Sequence, residues 1–136
     1  MGHRAQIVSS WLNALDDLAT RCEASPAHDQ QACWNAFAGL ILSAPLDLGG
    51  YGIDARSIGS TATMVELGAL ESACLAALGP QVGYIASRGP GGTCLATVVL
   101  PGGSDEMTGT GSSLALALMG STLVAIADAC RDARLG

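Results

Sequence analysis

Between residues 4 and 23 apolar side chains return at steps of three and four: Ile7, Val8, Trp11, Leu12, Leu15, Leu18, Ala19 and Cys22. Gln6, Asn13, Asp16, Asp17 and Arg21 fill the opposite side, which is the pattern of a helix with one buried face. A second helix is predicted over about 26–43. Ser25 suits its N-cap, and Pro26 suits a first helical position whose amide has no intrahelical partner. Cys33, Phe37, Leu40, Ile41 and Ala44 form its apolar face, and Pro45 ends it. So short a connection makes the pair an antiparallel hairpin.

The pattern breaks at 46–59, where four glycines among small polar residues predict a loop with a short strand near 51–56. Residues 60–78 then read as a central helix, capped by Ser60 and closed by Leu78-Gly79-Pro80. Its apolar residues surround nearly the whole circumference, so burial on more than one side is expected. Strand-like runs follow at 82–87 and 93–100, joined by a turn at 88–92. The second run is apolar on both faces and belongs inside a sheet. Two strands alone are marginal, so a third has to come from this chain or another subunit. Residues 101–111 look like a long flexible loop. From Ser112 or Ser113 to about Arg134, leucine and alanine favour a helix. The alternation Leu114, Leu116, Leu118 leaves a hairpin as the other reading. The expected fold is α+β: an N-terminal helical hairpin (4–44), a central buried helix, a small antiparallel sheet and a C-terminal helix. Residues 1–136 are read as one domain, with helix–strand–strand–helix over 60–136.

Composition changes the picture in two ways. At 49% apolar and 13% charged, the 136-residue chain has more apolar surface than its predicted elements can obviously hide. Charge is lopsided as well, with twelve acids, six arginines and no lysine for a net −6. Lacking lysine, the chain has no Schiff base, pyridoxal phosphate anchor, Walker A lysine or Ser–Lys dyad. The negative balance argues against nucleic acid and against anionic membrane surfaces, both of which call for a cationic footprint. The longest nearly apolar run, 114–127, is 14 residues, short for a membrane span. Met1-Gly2-His3-Arg4 leads into an amphipathic segment and not an apolar signal core, so a cytoplasmic address is expected.

Candidate chemistry is sparse. The five cysteines, with no C-x-x-C pair, read as free buried thiols. Cys22 and Cys33 flank the hairpin turn, where a disulfide is the alternative under oxidising conditions. His28-Asp29 is a lone dipeptide, too few ligands for a metal, and none is expected. No serine sits in a G-x-S-x-G elbow. Glu66 and Glu71 would point about 140° apart on a helix, so they read as separate acids. One of them is a candidate for a buried pair with Arg56 or Arg88. The most suggestive segment is 102–113, glycine-rich and entering a helix, where converging amides and a helix start could hold an anion. Gly109, Gly111, Ser112 and Ser113 are its candidate ligand-binding residues.

Two functional readings follow. The leading one is a non-enzymatic regulatory or binding module that works as a homodimer, because the apolar excess and the incomplete sheet call for a partner. The other is a small-molecule enzyme or binding protein that holds a small anionic ligand at 102–113. No cofactor is expected.

Overall fold

A computed structural model describes residues 2–66, 68–101 and 105–135. Helix α1 (Gly2–Ala24) buries Trp11, Leu12, Leu15, Leu18, Ala19 and Cys22, so the stripe read from the sequence is the packed face from Trp11 onward. Ile7, at its start, stays exposed.

Ser25 does not cap the second helix. Its hydroxyl donates back to Arg21 O at 2.6 Å, closing α1. Pro26 is extended, a 3-10 turn covers Ala27–Asp29, and α2 runs Gln30–Leu42. A hydroxyl facing backwards along the chain has no amide ahead of it to accept from, which is why the cap fails. The helices are pinned across their interface by the Trp11 indole, which donates to Leu40 O at 2.9 Å. Burying an indole without a partner for its N–H would be costly, and this bond removes that cost.

The single helix expected over 60–78 is two short ones, α4 (Ala62–Glu66) and α5 (Leu70–Ala77), and they are preceded by α3 (Ala55–Gly59) in the segment expected to be a loop with a short strand. Asp54 caps α3 and accepts from the Ser57 amide and hydroxyl. Ser60 sits at the end of α3, where its hydroxyl donates to Ser57 O. Gly68, at φ +77°, ends α4. Its amide donates to Val65 O and the Ala69 amide to Met64 O, the paired bonds of a Schellman cap. Nor does Gly79 take the left-handed position at the end of α5. Leu78 instead bridges to Ile53, and the Gly79 amide donates to Gly52 O at 2.7 Å.

Strands β1 (Gly83–Arg88), β2 (Cys94–Val99) and β3 (Met107–Gly111) form an antiparallel sheet in that order, with β2 central as its sequence requires. The third strand therefore comes from this chain, out of the segment expected to be a loop. Helix α6 (Leu114–Leu135) lies against the inner face of the sheet. Leu116, Met119, Leu123 and Ile126 are completely buried among the sheet, α1, α2 and α5. Each such side chain stabilises the fold by roughly 1.5–3 kcal/mol. The hydroxyls inside this apolar run are satisfied locally, since both Ser121 and Thr122 donate to Leu118 O. By length and composition α6 could cross a bilayer, but most of its apolar stretch is buried inside this fold. One subunit thus encloses the leucine-rich segment 114–127, and the apolar excess there needs no partner to cover it.

Candidate functional site

The structure divides the 102–113 segment. Gly102, Gly103 and Ser104 lie outside the described residues. Asp105 and Glu106 are exposed, and the rest leads through β3 into α6. A Cβ built on Gly109 would stand 2.7 Å from Ser121 N and 3.0 Å from Ala117 O. On Gly111 it would stand 2.9 Å from Ala117 N. Both positions are glycine because β3 lies directly against the backbone of α6.

Their amides are already committed. At the hairpin turn the Gly89 amide donates to Thr93 O at 2.9 Å. Strict alternation along an antiparallel ladder then turns the backbone of Leu95, Thr97 and Val99 toward β1. Cys94, Ala96 and Val98 are turned toward β3, where they register with Gly111, Gly109 and Met107. Ser113 is equally engaged: its Oγ accepts from the Leu116 amide at 3.2 Å and its carbonyl from the Ala117 amide at 3.0 Å. Only Ser112 is exposed and without a bond. The candidate residues are brought together, but their polar groups are spent on sheet and helix instead of converging on open space.

The remaining candidates separate. His28 and Asp29 are exposed, with Nε2 and Oδ1 3.6 Å apart. Glu66 and Glu71 are exposed, and among the described residues neither pairs with an arginine, so the expected buried ion pair is not seen there. The reason is the break at Gly68, which puts each acid on a short helix whose outer side faces water. All five cysteines are buried free thiols. Burial, with Cys33 close by, pushes the Cys22 thiol up to about 12, and burial raises Cys74 further. Such thiols are protonated at neutral pH and poor nucleophiles.

An acidic notch went unnoticed in the sequence. Carboxylate oxygens of Asp105, Asp128 and Asp132 lie within 4.8 Å of one another, beside a hollow of about 340 Å³ whose wall includes Tyr51 and Pro101. Partial burial, then Asp132 and Asp105, raises the Asp128 carboxyl above its ordinary range. The available signal was the four-residue spacing of Asp128 and Asp132, which stacks them on one helix face. Oxygen donors of this kind suit a hard cation, but three carboxylates fall short of the six to eight ligands of a calcium site.

The feature that most resembles a functional surface is the outer edge of the sheet. Beside β3 lies α1, with Asp16, Ala19 and Thr20 across a narrow gap from Thr108 and Thr110. Among the described residues no strand pairs with the outer edge of β1. By the same alternation, the N–H and C=O groups of Tyr84, Ala86 and Arg88 point out from that edge. Apolar side chains accompany them: Ile85 is 71% exposed, Tyr84 48% and Leu95 41%. Ile85 and Leu95 share the outer face of the sheet with Thr97 and Thr108, whose hydroxyls bond each other at 3.0 Å.

The class these features define is an α+β protein, with a three-stranded antiparallel sheet covered on one face by helices and open on the other. Comparison with protein-family models, curated proteins and solved structures finds no match to the chain.

Proposed function

We propose that the protein is a non-enzymatic binding module that works as a homodimer, joined through the outer edge of β1. The observation that carries this reading is that edge, unpaired and flanked by exposed Ile85, Tyr84 and Leu95. Long apolar edge strands are a liability that native proteins blunt with lysine, proline, inward charge or a bulge. β1 is six residues long and has no lysine, proline or bulge, and its one charge, Arg88, stands at its last position, opposite Cys94.

Its composition favours a second copy as the occupant. The chain is net −6, yet the edge holds no acid, so two copies meet there without opposing carboxylates. A two-fold axis at Ala86 pairs β1 with itself antiparallel and uses every outward backbone group of Tyr84, Ala86 and Arg88. Arg88 then faces Tyr84 of the second copy, a favourable cation–aromatic pairing, and Ile85 faces Ser87. The sheet would become a continuous six-stranded one. Five free thiols suit a reducing compartment, and on that ground the dimer is assigned to the cytoplasm.

Anion binding at 102–113 has less support, because the amides of Gly109 and Gly111 and the hydroxyl of Ser113 are engaged within the fold.

Size-exclusion chromatography with light scattering is the test. At micromolar concentration the expected mass is twice that of the 13.6 kDa chain. Ala86→Pro removes an outward amide that β2 does not use, and Ile85→Lys places a charge beside the edge. Both variants are expected to elute as folded monomers with an unchanged circular dichroism spectrum. A wild-type monomer at tens of micromolar, or a dimer that survives both substitutions, overturns the proposal.

A further inference from the structure

The first turns of α1, the last turns of α6 and the 45–51 connection together line one hollow. The result is a cavity of about 470 Å³, with walls from Ala5, Val8, Leu46 and Ala133. Tyr51 and the buried Cys130 line it as well. Small-molecule sites commonly occupy about 300–1,000 Å³ and combine apolar walls with a few polar groups. Here the charged groups are Arg4 and Arg134.

The chain carries twelve acids and six arginines, and two of the six meet at this cavity. The ion pairs among the described residues are His28–Asp29 and Arg131–Asp16, so neither Arg4 nor Arg134 is neutralised by a carboxylate there. Arg134 stands at the end of α6, where a cation answers the negative pole of the helix dipole. Arg4 has no such explanation. It lies in the opening turns of α1, where positive charge is disfavoured, and the first turn of α1 holds no acid. Arg4, Arg134 and the N-terminus of α1 thus bring positive charge to one apolar cavity, where the C-terminus of α6 opposes them and the acidic notch adjoins across Tyr51 and Ala133. Asp132, the nearest acid along α6, lines the acidic notch and not this cavity.

We infer that the cavity between α1 and α6 binds an amphipathic monoanion, with a single aliphatic chain against Ala5, Val8, Leu46 and Ala133 and its carboxylate held by Arg4 and Arg134. A volume in the lower half of the usual range suits one medium-length chain and not a two-chain lipid. The site lies away from β1, so it stands or falls independently of dimerisation.

Calorimetric titration of the full chain with decanoate, kept below its micellar concentration, tests the inference. One saturable site per chain is expected. Arg4→Gln and Arg134→Gln should each weaken binding about tenfold, as expected for loss of one charge-assisted bond. Neutral 1-decanol and inorganic phosphate, each lacking half of the recognition chemistry, should bind at least about tenfold more weakly than decanoate. Ala133→Trp, which fills the cavity from an exposed position, should abolish binding, while Arg56→Gln on α3 should leave it unchanged. Absence of saturable decanoate binding overturns the inference. So does binding that decanol matches, or binding that resists both arginine substitutions and Ala133→Trp.

Discussion

At the scale of single residues, Gly109 illustrates how a local feature misleads. In sequence it belongs to a glycine-rich stretch with the look of a ligand loop, yet a side chain there would meet the backbone of α6 at Ser121. Gly109→Ala is therefore expected to destabilise the fold by about 1–3 kcal/mol, the range for overpacking a close contact. A lowered urea midpoint at unchanged slope would show it. Asp128 works in the opposite sense. Partial burial, with Asp132 and Asp105 nearby, raises its carboxyl above the ordinary 3.8, so the folded state binds that proton more tightly than the unfolded chain. Stability associated with this group is present at low pH and declines as pH rises from the ordinary carboxylate range through the raised value. Asp128→Asn should accordingly stabilise the protein at pH 7 by roughly 0.2–0.5 kcal/mol, the scale of a like-charge pair on one helix face. Thermal unfolding across pH checks the sign, since the gain should vanish once the wild-type carboxyl is protonated.

Among the elements, those with long uninterrupted periodicity were legible. The stripe of α1 names a helix, because repetition over many turns leaves few other ways to bury the same side chains, whereas in α6 the alternation of Leu114, Leu116 and Leu118 kept a hairpin as the other reading. Where one residue carries the decision, the sequence is ambiguous. Gly68 falls inside the stretch 60–78 expected to be one helix, but with a positive φ it ends α4. Ser25 reads as a start signal and acts as a stop, since its hydroxyl finds Arg21 O first. Ser113 shows the same choice resolved in favour of the cap. Replacing it with alanine leaves the Leu116 amide without its acceptor and should cost about 1 kcal/mol. A fall in the thermal midpoint together with faster amide exchange in the first turn of α6 would report that loss.

For the whole molecule, the open edge of β1 and the cavity between α1 and α6 are the two places where the fold leaves recognition chemistry unused. If β1 joins two copies, the thermal midpoint will rise with protein concentration in the wild type and not in Ala86→Pro, because association stabilises only the folded state. Neither feature could be read from the chain. The sequence by itself determined the α+β class, the helical hairpin and the order of β1 and β2, because these follow from periodicity and propensity within short windows, and it left helix or hairpin open over 114–127. It also set the charge balance against which two arginines at one cavity stand out. Tertiary structure alone decided that 107–111 would be a third strand, that 114–127 would be a largely buried helix, and that Asp105 would meet Asp128 and Asp132. The physical reason is common to all three. Each depends on how closely distant backbones approach, and that distance is fixed only when glycines at one position meet a helix contributed by another.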